Sequence, residues 1–256
     1  MSESVTLNQD CLSYMRTLPD NYFDLCVADP PYGAGFTETG GCKGWFSKYH
    51  QDTDDSSQTV NVERERELPR TWNRFGQLFD RYKEDCDPDG RDVGGEVRKK
   101  IIAWDVAPEK EYFDEIFRVS RQQIIWGGNY FDLPPTRCFL VWRKLTISES
   151  FSMAMAEYAW TSFTGNAKVF ECAPQGKKDD PRFHPTAKPI ELYAWIYRLF
   201  AKPGDKIFDP YLGSGSSRIA AYDAGLDFVG CEIDPVYFAK EEERFERHTA
   251  QYSLFD

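Results

Sequence analysis

Four consecutive residues, Asp29-Pro30-Pro31-Tyr32, combine a hydrogen-bond acceptor, two rigid backbone units and a flat ring. Each proline fixes φ and withholds a backbone N–H, so the tetrapeptide ends any strand before it and projects stiffly. A carboxylate and an aromatic ring held in this way face whatever enters a crevice, although Asp29 taken alone could equally cap a turn. A second constellation stands 180 residues downstream, Asp209-Pro210-Tyr211-Leu212-Gly213-Ser214-Gly215-Ser216. Gly213 and Gly215 let the backbone turn sharply and approach a ligand closely. Glu232 follows Gly215 by 17 residues, the spacing at which a carboxylate at the next strand end reaches the ribose hydroxyls of a nucleotide. The third glycine of the dinucleotide fingerprint is missing, and no Gly-Lys-Ser/Thr follows as in a phosphate loop. An adenosine-type ligand without a pyrophosphate remains, and S-adenosylmethionine fits best.

The elements that must position these residues read as alternating strands and helices. Val5 to Leu7 is a short strand, Cys11 to Leu18 a helix, and the apolar run Phe23 to Ala28 a buried strand that delivers Asp29. Helical periodicity returns from Glu109 to Val119, followed by strands at Gln122–Trp126, Cys138–Trp142, Glu157–Phe163 and Ala167–Cys172, the last two near the sheet edge. The final third is a helix from Pro189 to Phe200, a strand at Lys206–Phe208, a helix from Ser216 to Ala224, a strand at Phe228–Cys231 and a charged helix from Pro235 to His248. This succession predicts an α/β fold, a mostly parallel sheet with helices on both faces. The strand carrying Asp29 and the strand before Gly213 are expected to be neighbours, with their carboxyl ends in one pocket.

Composition sets the bounds. The 256 residues are 41% hydrophobic and 16% aromatic, enough for one sizeable domain, and no apolar run reaches the length of a membrane span. No secretory signal is evident at Met1-Ser2-Glu3-Ser4, which leads to an expected cytoplasmic location. The seven cysteines form no Cys-x-x-Cys pair and the three histidines are far apart, so neither a disulfide framework nor a metal site is expected. The net charge of −11 disfavours tight nonspecific nucleic-acid binding but allows a local basic patch. Residues 37–100 differ from the rest, with 14 acidic and 12 basic residues and only nine Val, Leu, Ile, Met or Phe. They read as a polar insertion in a single domain spanning 1–256. Within the insertion, Trp72, Phe75, Phe79 and Tyr82 recur at helical spacing with Arg70, Arg74 and Arg81 between them.

Six blocks in one order resemble the amino-group DNA methyltransferases of the beta type, whose motif order is circularly permuted. Asn8-Gln9-Asp10-Cys11-Leu12 resembles the family's Gly-Asp-Cys-Leu segment, and Asp29 to Tyr32 its catalytic motif. Trp126 to Phe131 is similar to the Gly-Gly-Asn-Tyr-Phe block of phage-type members. His184-Pro185-Thr186-Ala187-Lys188-Pro189 is similar to His-Pro-Thr-Gln-Lys-Pro, with Ala187 in place of glutamine. Phe208 to Ser217 and Gly230 to Tyr237 match the cofactor motifs, while the 37–100 insertion lies outside the resemblance.

The resemblance implies a Rossmann-like class I S-adenosylmethionine-dependent methyltransferase fold and methyl transfer to an exocyclic amine of a base flipped out of double-stranded DNA. Asp29, Pro30, Pro31 and Tyr32 would be catalytic: the Asp29 carboxylate and the Pro30 carbonyl accept the amine's N–H bonds, and Tyr32 stacks on the base. The cofactor would lie against Asp10, Cys11, Asp29, Thr186, Lys188, Pro189, Asp209, Gly213, Ser214, Gly215, Glu232 and Ile233. Asp10 would meet its adenine, and Thr186 and Lys188 its methionine end. Asp-Pro-Pro-Tyr is typical of adenine-N6 enzymes, Ser-Pro-Pro-Tyr of cytosine-N4 enzymes, which points to adenine. The resemblance also implies a bacterial or phage-infected host cell and allows a homodimer. Lys168, Lys177, Lys178 and Arg182, together with the insertion, are the candidate DNA contacts. Rival readings are a cytosine-N4, RNA or protein-glutamine methyltransferase and, in another class, an inactive DNA-binding or cofactor-sensing module.

Overall fold

Apolar side chains alternate along the central strands and separate two cores. The computed structural model describes residues 2–33, 106–147, 154–174 and 180–252. The 37–100 insertion, the apolar run Ile101–Trp104, Lys177 and Lys178 lie outside them. The chain divides into two units, Met1–Tyr32 with Ala107–Asp256, and Gly33–Val106; every element below belongs to the first.

Among the described residues there are eight strands: β1 Ser4–Leu7, β2 Phe23–Ala28, β3 Ser120–Trp126, β4 Phe139–Lys144, β5 Ala156–Thr161, β6 Lys168–Cys172, β7 Lys206–Asp209 and β8 Asp227–Cys231. Five α-helices accompany them, α1 Cys11–Met15, α2 Lys110–Val119, α3 Ile190–Phe200, α4 Ser216–Asp223 and α5 Pro235–Tyr252, with a 3-10 turn at Gly128–Tyr130. The strands form one sheet in the order β1-β8-β7-β2-β3-β5-β4-β6. Only β5 runs against the others, pairing antiparallel with β3 and β4. On one face Leu25, Val27, Ile124, Trp126 and Ile207 pack against Leu192, Ile196 and Tyr197 of α3 and Ala220 and Ala221 of α4. On the other face Cys26, Ala28, Ile125, Phe208 and Val229 meet Cys11 and Met15 of α1 and Tyr112, Phe113, Ile116 and Val119 of α2. Helices therefore cover both faces, as the alternating pattern predicts.

The expected helix to Leu18 ends at Met15 instead. Leu18 N–H donates to the Met15 carbonyl at 3.0 Å and Thr17 N–H to that of Tyr14, a tightening to three-residue spacing that ends helices. The Arg118 guanidinium on α2 donates to the Met15 and Leu18 carbonyls, both at 2.8 Å, so the terminal acceptors are satisfied from a distant element. The expected strand to Phe163 likewise stops at Thr161. Pro189 is the N-cap of α3 rather than a residue of its first turn. No helix among the described residues is long and apolar enough to cross a membrane.

Candidate active site

β7 and β2 pair in parallel through Leu25↔Ile207 and Cys26↔Phe208. From this seam the chain winds outward both ways, to β8 from β7 and to β3 from β2. Carboxyl ends at such a switch point open a crevice for ligands. Asp29 is the first residue beyond β2, and Asp209 is the last of β7.

Asp29 does not cap a turn. Its Oδ1 accepts a hydrogen bond from the Tyr32 hydroxyl at 2.9 Å, and its Oδ2 is ion-paired with Lys188 Nζ. Lys188 continues to a second carboxylate: its Nζ lies 3.2 Å from Glu157 Oε2, and Lys144 Nζ lies 2.6 Å from Glu157 Oε1. Lys144, Glu157, Lys188 and Asp29 thus form a row of alternating charge, with the Lys188 side chain only 4% exposed. Burial pushes the Asp29 carboxyl up, Lys188 pulls it back and Glu157 pushes it up again, leaving it above the usual carboxylate range. Burial also opposes ionised Glu157, but Lys188 and Lys144 outweigh it and bring that carboxyl down to about 2. Burial disfavours the Lys188 ammonium as well, and Asp29 and Glu157 together hold its pKa above the ordinary lysine value.

Tyr32 stacks on Tyr130 with centroids 4.9 Å apart and planes 15° from parallel. Gly127, at the end of β3, lies directly against the Tyr32 ring; a Cβ there would overlap it, and its φ of +66° also favours glycine. Trp126 is fully buried, as its apolar strand predicts, with the Lys188 ammonium 5.3 Å from its ring centroid.

Across the seam, the glycine turn leads into α4, with Gly213 at φ +54° and Gly215 at +71° as the helix N-cap. Glu232 is pinned at the end of β8: its Oε2 accepts from Gly213 N–H and its Oε1 from Asp234 N–H, both at 2.8 Å. Asp209 accepts from Tyr211 N–H at 3.0 Å and from the Ser217 hydroxyl. Burial pushes the Asp209 carboxyl up to about 7 and also raises that of Glu232. A cleft of about 260 Å³ lies beside them, lined by Asp10, Cys11, Pro210, Tyr211, Glu232 and Ile233. Asp10 caps α1 through Ser13 N–H at 2.7 Å, and Ile233 is 67% exposed. A second cleft of about 300 Å³ is lined by Lys188, Pro189, Ser214, Ser216, Arg182 and Arg244. Thr186 is exposed, its hydroxyl 3.3 Å from His184 Nδ1. Burial beside Arg182 and Lys188 brings His184 down to about 4, so it is neutral at pH 7. Asp234 caps α5 through Val236 N–H at 2.7 Å.

A family model for DNA methylases matches residues 95–243, more than half of the chain. The chain belongs to the N6/N4 DNA methylase family. The methylase is 24% identical over 268 residues to the type II methyltransferase M.HinfI of Haemophilus influenzae, which covers 93% of this chain and 67% of that one. Its fold is similar to that of the PvuII DNA methyltransferase, described as cytosine-N4-specific, with a TM-score of 0.54, 12% identity, and coverage of 99% of this chain and 92% of that one.

S-adenosylmethionine is the methyl donor of this family, and the residues of the methylase fit it. Asp209 and Glu232 are buried carboxylates with no cationic side chain in ion-pair contact among the described residues. Buried anions are costly without a counter-charge, and a sulfonium ion supplies one. The cleft between α1 and Glu232 has room for a nucleoside, with a carboxylate at its rim.

Sequence reasoning missed four residues of the methylase's crevice. Glu157 and Lys144 are brought to Lys188 by the β4–β5 register, which pairs Trp142 with Glu157. A usable signal was present, because Glu157 is the one charged residue of β5. Gly127 and Tyr130 sit in the Gly-Gly-Asn-Tyr block, but their contact with Tyr32 needs the β2–β3 pairing.

Proposed function

We propose that the chain methylates the exocyclic N6 of adenine in double-stranded DNA, acting on a base taken out of the duplex. The observation that carries this reading is the Asp29 carboxylate, 14% exposed at the end of β2 beside the β7 glycine turn. An exocyclic amine is a weak nucleophile because its lone pair is delocalised into the ring. Two fixed acceptors, Asp29 and the Pro30 carbonyl, draw its N–H bonds toward the tetrahedral geometry that frees the lone pair. The two prolines keep both acceptors in place, so orientation supplies much of the rate.

When bound, S-adenosylmethionine supplies an electrophilic methyl group, whose carbon–sulfur bonding pair returns to sulfur as the carbon is transferred. The amino nitrogen, having given its lone pair, then carries one proton too many. Asp29, already held above the usual carboxylate range, is placed to take that proton. Gly213, Gly215, Asp209 and Glu232 would hold the donor, with Asp10, Cys11 and Ile233 around its adenosine and Thr186, Lys188, Pro189 and Ser214 toward its amino-acid end.

Stacking of the base on Tyr32 carries a steric condition. Tyr130 covers one face of the ring, so a base stacking on that face must displace Tyr130. The choice of adenine rests on aspartate at position 29, the residue type typical of adenine-N6 enzymes. Incubation with duplex DNA and labelled S-adenosylmethionine, then nucleoside analysis, tests it. N6-methyladenine is expected; N4-methylcytosine would overturn the choice of base, and label in RNA or protein alone would overturn the DNA reading.

A further inference from the structure

Both oxygens of Asp29 are engaged, one by the Tyr32 hydroxyl and the other by Lys188. An amine that is to donate to Asp29 must take over one of these positions. Releasing Lys188 with nowhere to go would leave an ammonium ion buried and unpaired, which is strongly unfavourable. Glu157 removes that obstacle. Its Oε2 is fully buried and makes no hydrogen bond among the described residues, yet it lies 3.2 Å from Lys188 Nζ. The ammonium is within ion-pair distance of this oxygen but does not meet hydrogen-bond geometry with it. At this distance a reorientation of the two groups, without a large displacement, would convert the contact into a hydrogen bond. Lys144 on Glu157 Oε1 keeps that carboxylate ionised and fixed.

We propose that Glu157 is a positioning residue for methyl transfer: it offers Lys188 a second seat, so that Asp29 can exchange the lysine for the substrate amine. The inference rests on the reading of Asp29 as the acceptor of that amine. Charge is conserved throughout: the row is neutral while Asp29 is ionised, and it takes over the sulfonium's positive charge when Asp29 accepts the proton shed by nitrogen. While Asp29 is ionised, Lys144 and Lys188 balance Glu157 and Asp29. When Asp29 holds the amine, or carries the proton shed by nitrogen, Lys188 remains paired through Glu157. Nothing is oxidised or reduced, and the proton leaves from Asp29 to solvent when Lys188 returns.

Glu157→Gln tests this in the full-length chain. Among the described residues Lys188 then has Asp29 as its sole carboxylate, so kcat should fall about tenfold or more while both KM values stay within about threefold. Removing the negative charge that pushes Asp29 up should also move the acid limb of the kcat–pH profile to lower pH. The Asp29 carboxyl carbon, followed by NMR in ligand-free protein and assigned with Asp29→Asn, should titrate lower in the same way. Adding Glu157→Gln to Lys188→Met should cost little further activity, because Glu157 acts through the lysine. Should Glu157→Gln fail to fold, the pair Lys144→Met with Glu157→Gln keeps the buried net charge unchanged and should show the same kcat loss. An unchanged kcat, a loss confined to KM, or a full additional loss in the Lys188→Met background would overturn the inference. Wild-type protein run alongside separates the two levels. No methyl transfer to DNA by the wild type defeats the proposed function itself, and normal transfer with an indifferent Glu157→Gln defeats only this inference.

Discussion

The Asp29 side of the crevice and the Asp209 side both bury carboxylates, but they balance the charge differently. Asp29 stands at the end of a row of two acids and two lysines, each charge facing its opposite. Asp209 and Glu232 have backbone N–H groups and a hydroxyl as partners and no lysine or arginine in ion-pair contact among the described residues. The first arrangement is self-sufficient before any ligand arrives. The second holds carboxylates whose ionised forms burial disfavours and dipoles only partly restore. The difference suggests a division of labour: one side is prepared for a neutral amine, the other for a cation.

The strongest challenge to that division is Asp29→Ala. It should lower methyl transfer about a thousandfold or more, leaving cofactor affinity within a few-fold, because the lost acceptor acts on the amine. Transfer rates with labelled donor, alongside calorimetric binding, measure both. Comparable losses in binding and rate would erase the distinction between the sides.

Asp209→Asn should have the next largest effect. Removing the charge should weaken S-adenosylmethionine about ten- to a hundredfold and the uncharged product S-adenosylhomocysteine much less. Equal weakening of both would show that charge is not what Asp209 contributes. The same substitution sharpens the comparison through pH. The Asp209 carboxyl titrates at about 7 in the folded protein against an ordinary 3.8, so the folded state holds the extra proton between those values. Ligand-free stability from this group is therefore present below pH 3.8 and lost as pH rises through 7. The Asp209→Asn variant should flatten that part of a melting-temperature profile.

Gly127→Ala should have the smallest effect. The new methyl group meets the Tyr32 ring and sits at positive φ, a strain of roughly 1–3 kcal/mol. A lower melting temperature and a kcat reduced about tenfold are expected, with donor binding unchanged, because the disturbance falls on the Asp29 side alone. Weakened donor binding would show that the two sides are mechanically coupled.

Much of this arrangement is legible in the chain. The mostly parallel sheet follows from βα alternation, and the β2–β7 seam from motifs that only a shared pocket reconciles. Gly213 and Gly215 announce a tight turn because no other residue type tolerates their backbone so readily. What the chain hides is what depends on register. Glu157 looks like an isolated acid in a strand until β4 and β5 pair and set it between two lysines. Met15 looks like the middle of a helix until Arg118, a hundred residues away in sequence, captures its carbonyl. Tyr32 looks free to stack until Tyr130 is found against it. In each case local pattern gave the element, and a long-range contact decided its end or its partner.

The sheet's pairing also has a consequence for synthesis. Among the described residues, strand β1 pairs only with β8, more than two hundred residues later. The seam between β2 and β7 closes almost as late. Contacts so distant in sequence form slowly and cannot form at all until both partners have left the ribosome. A growing chain therefore carries Asp29 without the strand that faces it until Lys206–Asp209 has been made. The crevice comes into being only when residues 206 to 231 emerge.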